Sequence, residues 1–263
     1  MTRILHLADL HFGAEDPPLV EGLAEALQSL EADVICAAGD FTQYGRKREF
    51  RAAADFFARL DPPVVAAPGN HDTPYWDLFS RLIRPWGRFE KLLGGTVRPD
   101  WRDKSHGMET LATSRGLQAR LDWSLGKVRE AHAREAAERL GDVHGVRIVA
   151  GHHPLFAPGG AKGRAKTKGG SEATSILAEA GVDIVLSGHL HQAFAIAFER
   201  PDGGKSWHVG ASTALSKRTR DEPAGFNVID LEDGAALLTI WAATKDYSYT
   251  PISDQRLDLT RRG

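Results

Sequence analysis

Five short apolar runs in this chain stop on the same small set of polar residues. Arg3-Ile4-Leu5-His6-Leu7 leads into Asp9-Leu10-His11, and Asp33-Val34-Ile35-Cys36-Ala37-Ala38 leads into Gly39-Asp40. Pro63-Val64-Val65-Ala66 precedes Ala67-Pro68-Gly69-Asn70-His71-Asp72. Val146-Arg147-Ile148-Val149-Ala150 ends in Gly151-His152-His153-Pro154, and Val182-Asp183-Ile184-Val185-Leu186-Ser187 ends in Gly188-His189-Leu190-His191. A short β-branched run closed by Gly or Pro reads as a buried strand ending in a tight turn. Imidazoles, carboxylates and an amide do not suit a core. The carboxyl ends of parallel strands are where open α/β sheets collect ligand groups. Five such ends delivering Asp, His and Asn to one rim make a metal site, and the rest of the chain reads as its scaffold.

The 263 residues are enough to bury a full core, and one domain spanning 1–263 is expected. With 42% hydrophobic and 26% charged residues the chain is neither disordered nor fibrous. A net charge of −2 gives no global reason to expect nucleic acid or an anionic membrane as partner. No apolar run approaches the ~18 residues of a membrane span. A strand that starts at Arg3 and reaches Asp9 at once does not read as a signal peptide. Cys36 is the lone cysteine, so no disulfide forms within the chain. The expectation is a reduced, cytoplasmic enzyme with a small substrate, no membrane or nucleic-acid partner, and a homo-oligomer allowed.

Strand and helix signals alternate through the first half. Pro17-Pro18 opens a helix with Leu19, Leu23, Ala26, Leu27 and Leu30 at helical spacing, and 46–60 repeats the pattern with Phe50, Ala53, Phe57 and Leu60. Phe79, Leu82, Ile83, Trp86 and Phe89 keep that spacing, with Pro85 expected to kink or divide the helix. These aromatics, and Trp76, are expected in helix core rather than as a base-stacking platform. A strand is expected over 109–113, a helix over 127–140, and a helix capped by Ser171 after it. From His191 onward helices disappear. Strands over 193–198, 205–209, 226–231 and 235–241 are separated by turn signals, which predicts antiparallel strands behind a parallel α/β front, as two packed sheets with helices outside.

Six of the eleven histidines lie in the strand-end motifs. A lone histidine is ordinarily a hydrogen-bonded loop residue; the joint occurrence is what points to metal. Residues i and i+2 on an extended segment share a face, so Asp9 with His11, and His189 with His191, can reach one ion. Mixed oxygen and nitrogen donors suit Mn, Fe, Zn or Co, and a single cysteine excludes a thiolate-selected metal. Four His, two Asp and one Asn are too many for one tetrahedral zinc and fit two ions sharing a carboxylate.

The order Asp-x-His, Gly-Asp, Gly-Asn-His-Asp, Gly-His and Gly-His-x-His resembles the calcineurin-like metallophosphoesterase superfamily, from residue 4 to about 230. The tails Gly39-Asp40-Phe41-Thr42-Gln43 and His152-His153-Pro154-Leu155, with the later Gly210-Ala211-Ser212-Thr213-Ala214, are similar to its small bacterial phosphodiesterases. The resemblance implies an α/β/β/α sandwich of two mixed β-sheets flanked by helices. It also implies a ligand set: Asp9, His11 and His191 for one ion, Asn70, His152 and His189 for the other, and Asp40 bridging. The cofactors would be two divalent or trivalent transition-metal ions. His152 is taken as the ligand because it follows Gly151 directly, as in the family's Gly-His pattern, which leaves His153 behind it or facing substrate, or as the alternative ligand. His71 is expected to stabilise the transition state or protonate the leaving oxygen, with Asp72 orienting it.

The implied activity is dinuclear phosphoester hydrolysis by a metal-bridging hydroxide. A phosphodiesterase for small diesters is expected, of cyclic nucleotide or glycerophosphodiester type. Two alternatives stand beside it. A nuclease of the superfamily would carry a DNA-binding or capping region, and none is evident. A non-catalytic scaffold would be expected to lose ligand residues, and none is missing. A metallo-β-lactamase would need a dense His-x-His-x-Asp-His run, which is absent.

Three basic features remain. The glycine-rich stretch 157–170, with Lys162, Arg164, Lys166 and Lys168, is either a solvated connector or a lid that draws in anions. Lys217, Arg218 and Arg220 are candidates for the same rim, Arg218 as a substrate contact. Arg115 on the Ser114-Arg115-Gly116 turn is a candidate phosphate contact.

Overall fold

The computed structural model describes residues 1–116, 124–156, 167–215 and 222–259. The first half runs β1 (Thr2–Leu7), α1 (Pro17–Ser29), β2 (Val34–Ala37), α2 (Lys47–Phe57), β3 (Val64–Ala66), α3 (Leu78–Ile83), α4 (Gly87–Leu93), β4 (Val97–Arg98), β5 (Asp100–Arg102) and β6 (Gly107–Thr110). Then come α5 (Glu130–Arg139), β7 (Arg147–Ala150), α6 (Gly170–Glu179), β8 (Ile184–Ser187), β9 (Phe194–Glu199), β10 (Lys205–Gly210), β11 (Gly225–Glu232), β12 (Ala235–Ala243) and β13 (Tyr249–Asp258).

These strands form two mixed sheets. One has seven strands in the order β13-β12-β11-β1-β2-β3-β4, the other six in the order β5-β6-β7-β8-β10-β9. Period-two alternation sorts the side chains of each parallel strand onto two buried faces. Ile4, Val34, Cys36 and Val65 meet Met108, Ile148, Ile184, Leu186 and Val209 between the sheets. Leu5, Leu7, Ile35 and Ala37 face outward onto α1 and α2, against Leu23, Leu27, Phe50 and Phe57. On the opposite side Val149 and Val185 pack on α5 and α6 through Ala133, Ala136, Leu140 and Leu177. The result is the α/β/β/α sandwich, a member of the α/β class.

The later strands form no separate back layer. β10 pairs in parallel with β8 and antiparallel with β9, whereas β11 pairs antiparallel with β1 and carries β12 and β13 outward. β13 has no sequence signal because it is an exposed edge strand. Its run Tyr-Thr-Pro-Ile-Ser-Asp-Gln-Arg-Leu-Asp holds a proline and several polar residues, as an edge tolerates. α6 begins at Gly170 after a left-handed Gly169, so Ser171 sits inside the first turn and is not the cap.

Pro85 falls between α3 and α4 and divides them. Phe89 packs against the core, while Trp76 and Phe79 do not: they are 73% and 74% exposed, with Leu82 and Ile83 near 60%. α3 instead turns Arg81 inward, where its Nε donates to the Gly116 carbonyl at 2.6 Å. No helix among the described residues is long and apolar enough to cross a membrane.

Candidate metal centre

All five strand ends arrive at one edge of the sandwich. β1, β2 and β3 deliver Asp9, His11, Asp40 and Asn70 from the seven-stranded sheet. β7 and β8 deliver His152, His189 and His191 from the six-stranded one. Aiming these side chains inward distorts the backbone. Asp9, His11, Asp40, His189 and His191 have φ of 53, 50, 54, 68 and 57°, the left-handed region that costs a side-chain-bearing residue of order 1 kcal/mol or more. Among the described residues only Glu31 and Tyr247 share that conformation without glycine's freedom. Strain gathered on five ligand candidates makes this edge the candidate functional site.

Two glycines leave room for the carboxylates. A Cβ on Gly69 would lie 2.1 Å from Asp40 Oδ1, and one on Gly188 would lie 2.6 Å from Asp9 Oδ2. Each carboxylate is held at one oxygen and offers the other. Asp40 Oδ1 accepts from the His71 amide at 2.8 Å, and Asp9 Oδ2 accepts from the His189 amide at 2.8 Å. The free oxygen of Asp9, Oδ1, stands 3.3 Å from His191 Nε2 and 3.7 Å from His11 Nε2. Those two ring nitrogens are 3.4 Å apart. Asp40 Oδ2 lies 3.3 Å from His152 Nε2 and 3.9 Å from His11 Nε2, within reach of both ligand groups. Asn70 Oδ1 is 3.2 Å from His152 Nε2, and His189 brings a buried Nε2 that has no hydrogen bond.

This donor set fits cations. Asp9 Oδ1 and His189 Nε2 are buried and unsatisfied, and such groups call for an ion or water. His152 Nδ1 bonds the Ala38 carbonyl at 2.8 Å, which fixes the ring and turns Nε2 into the site. Burial holds the His11 imidazole down to about 4 and that of His189 well below its usual value, so both stay neutral, as ligands must. Burial opposes ionisation of Asp40, yet His152 and His71 overcome it and hold the carboxyl well below the usual range. Asp9 is lowered too, burial again being outweighed, here by His191. His152 shows the reciprocal effect: against burial, Asp40 lifts it to about 9. Buried anionic oxygens are thus balanced by a proton where a metal can sit.

The flanking residues are arranged differently from expectation. Asp72 does not touch the His71 ring. Its Oδ1 accepts from the Thr42 amide and hydroxyl at 3.0 Å each, and its Oδ2 from the Gly69 amide at 2.8 Å. It therefore clamps the β3 loop to the β2 loop, and burial first, then Asp40, lifts its carboxyl to about 6. The backbone carbonyl of Gln43 orients His71 instead, at 2.8 Å from Nδ1, leaving Nε2 for the site. His153 is buried with both nitrogens engaged, Nδ1 with Thr113 Oγ1 at 3.2 Å and Nε2 with the Ser124 carbonyl at 2.8 Å. Facing protein at both nitrogens, it buttresses His152 and presents none to substrate. Arg115 lines a cavity with Arg81 and His132 that contains none of the ligand candidates. Arg218, Lys217, Arg220, Lys162, Arg164 and Lys166 lie outside the described residues.

Three hydroxyls at the site carry no motif of their own. Thr113 Oγ1 accepts from the amides of both His152 and His153, at 3.2 and 2.9 Å. Thr213 Oγ1 donates to the Asp9 carbonyl at 2.7 Å, and the one hydroxyl proton of Thr42 is shared between the His71 carbonyl and Asp72 Oδ1, each 3.0 Å away. The only sequence cue was position: Thr42 and Thr213 fall in the tails of recognised motifs, whereas Thr113 merely follows a strand.

The family profile described as calcineurin-like phosphoesterase matches residues 2–193, which hold every one of the seven ligand candidates. The chain belongs to that family. A probable cyclic nucleotide phosphodiesterase from Synechococcus sp. is 27% identical over 245 residues, covering 88% of this chain and 89% of its own. Among solved structures, a dimetal phosphatase from Danio rerio superposes with a TM-score of 0.68 at 13% identity, over 98% of this chain and 99% of its own. A purple acid phosphatase from yellow lupin (Lupinus luteus) gives 0.62 at 15% identity, over 98% of this chain and 53% of its own. At these identities the two structures speak for the fold. Membership in the calcineurin-like family makes the chain a metallophosphoesterase and implies divalent metal ions.

Proposed function

We propose that this metallophosphoesterase is a two-metal phosphodiesterase acting on small diesters of the cyclic nucleotide or glycerophosphodiester kind. Asp9, His11 and His191 would hold one ion, and Asn70, His152 and His189 the other, with Asp40 shared. The observation that carries the reading is the position of Asp40 Oδ2, within 4 Å of both His11 Nε2 and His152 Nε2. One carboxylate oxygen between two imidazole groups is what a dinuclear site needs. The diester preference is supported by the Synechococcus relative, named a probable cyclic nucleotide phosphodiesterase. A complete donor set supports an enzyme over a binding scaffold, and no described element adds a DNA-binding region of the kind a nuclease would need.

When bound, two such ions supply an activated water and a clamp for phosphoryl oxygens. The protein supplies geometry and the leaving-group proton. Asp40 and Asp9, each held by a backbone amide at one oxygen, place negative charge where cations and phosphorus must meet. His71 has Nδ1 fixed on the Gln43 carbonyl, and its ring lies edge-on to His11 with centroids 4.8 Å apart. Its Nε2 can deliver a proton to the departing alkoxide. Asp72 and Thr42 hold the loop from which His71 projects.

His71→Ala tests this chemistry. Two metal ions per chain should remain by elemental analysis, because Asn70 and not His71 is the ligand. Hydrolysis of an alkyl or ribose diester should fall ~10²–10⁴-fold, the usual worth of general acid help. Hydrolysis of a p-nitrophenyl diester, whose leaving group needs no proton, should fall far less. Loss of metal would refute the ligand assignment, and equal loss for both substrates would refute the proton-donor role.

A further inference from the structure

α3 and the turn before it present an apolar surface to solvent. Tyr75, Trp76, Leu78, Phe79, Leu82 and Ile83 are 52, 73, 62, 74, 60 and 59% exposed, six of the ten large apolar side chains that stand open among the described residues. They are not scattered. Leu78, Phe79, Leu82 and Ile83 follow the i, i+1, i+4, i+5 spacing of one helix face, while Arg81 takes the inward side. Tyr75 and Trp76 lead into that face with their rings edge to face, centroids 4.8 Å apart. We propose that this surface is the interface of a two-fold homodimer, its occupant being the same face of a second copy of the chain.

Area makes the first argument. At these exposures the six side chains leave roughly 700–800 Å² open, taking ~150–250 Å² for each. The largest apolar patch of a typical monomer is ~300–600 Å², whereas each partner in a standard interface contributes ~800 Å². The surface is thus too large for ordinary exposure and the right size for half a dimer. Its composition agrees, since Trp, Tyr, Phe and Arg are the residues that interfaces concentrate.

The rim decides between occupants. Asp77 pairs with Arg88 at 3.0 Å and Arg84 with Glu90 at 3.7 Å, the last two side chains being 75% and 61% exposed. An interfacial membrane helix surrounds its apolar face with Lys and Arg. Here Arg88 and Arg84 are each answered by a carboxylate, which suits a protein. A rim that carries both signs beside one apolar centre is complementary to itself. A two-fold axis through the patch sets Arg84 of one copy against the partner's Glu90, and the reverse.

The dimer bears on the metal edge without resting on the phosphodiesterase reading. The Tyr75 amide donates to the Tyr44 carbonyl at 3.3 Å, next to the Gln43 carbonyl that orients His71. A second copy seated on Tyr75 braces the loops that aim this ring.

Sedimentation equilibrium of the full-length, metal-loaded protein should show a reversible monomer–dimer equilibrium. Backbone amides over 75–83 should exchange hydrogen more slowly as concentration rises, a readout independent of any variant. Phe79→Asp, at an open position that the fold does not need, should weaken the dimer about 30-fold or more, as loss of an interface anchor does. Ile252→Asp, 60% exposed on the far edge strand β13, should leave it unchanged. Arg84→Glu and Glu90→Arg should each weaken it about tenfold through like-charge contact, and mixing the two variants should restore it as a heterodimer. A monomer at every concentration, a dimer that persists in Phe79→Asp, exchange that ignores concentration, or no rescue on mixing would each overturn the assignment. Flotation of a monomeric parent with phosphatidylglycerol vesicles would overturn it too, in favour of a membrane.

Discussion

Gly69→Ala places one methyl group against Asp40, the residue on which the proposed dinuclear site turns. The new Cβ would sit 2.1 Å from Asp40 Oδ1, 2.3 Å from the Asp40 amide nitrogen and 2.8 Å from its carboxyl carbon. Ordinary contact begins near ~3.5 Å, so the carboxylate or one of the two loops must retreat by about 1.4 Å. Neither loop yields cheaply. The Asp40 carbonyl holds the His11 amide at 2.9 Å, and the Gly69 amide holds Asp72 Oδ2 at 2.8 Å. Overpacking of this kind destabilises by about 1–3 kcal/mol. The catalytic effect should be larger in proportion, since a displacement of ~1 Å can cost 10²-fold in rate. The variant should therefore bind fewer than two ions per chain under saturating Mn and hydrolyse bis(p-nitrophenyl) phosphate about 10²-fold more slowly. Gly95→Ala is the control, because a Cβ there meets nothing within 4 Å. Two full ions and a rate within about threefold of the parent in Gly69→Ala would refute the role given to Asp40.

Thr42→Val removes a hydroxyl that bonds the His71 carbonyl, Asp72 Oδ1 and the Gly45 amide. Urea melts should show a loss of about 1–3 kcal/mol, with kcat reduced more than metal content; an unchanged melt would remove Thr42 from the clamp. His208 is buried against Phe156 and Phe198 with neither ring nitrogen bonded, and burial pushes it down to about 4. The unfolded chain takes up a proton near pH 6.5 that the fold refuses, so this group's contribution to stability is lost as pH falls from about 6.5 towards 4. His208→Phe keeps the ring and removes the proton. Its stability relative to the parent should rise by about 2–3 kcal/mol between pH 7 and 4.5, at 1.36 kcal/mol per pKa unit. A constant difference across that range would show the imidazole to be solvated.

The residues gathered at this edge were legible because each sits on a recognisable strand end, where an apolar run gives way, at four of the five ends through a glycine, to a donor. The two-sheet architecture followed from the same runs. What surrounds the ligands was much harder to read. Nothing in Asn70-His71-Asp72 says that the aspartate turns away from the histidine to grip Thr42, because backbone amides three residues back and thirty residues upstream compete for it and win. The partner of His71 is a backbone carbonyl, which has no sequence signature at all. Helical spacing placed Phe79 and Leu82 in a core, yet spacing cannot choose which face of a six-residue helix looks inward. Here Arg81 takes that face, held by the Gly116 carbonyl. β13 escaped notice because a strand exposed along an edge has no need of apolar alternation.

The two sheets contribute unequally to the metal edge, four donors from one and three from the other. His11 and His191, whose ring nitrogens are 3.4 Å apart, are separated by 180 residues of chain. An ion between them would be a removable cross-link, added to the apolar contacts and the few hydrogen bonds, such as His152 Nδ1 to the Ala38 carbonyl, that already join the layers. Prying the layers apart at this edge requires that coordination bonds break first. Metal loading should therefore act chiefly on the lifetime of the fold: the holoprotein unfolds at a rate limited by ion release, while refolding, which precedes capture of the ions, is little changed. Persistence against proteolysis in a metal-poor medium would then track ion supply more closely than it tracks the intrinsic stability of the chain.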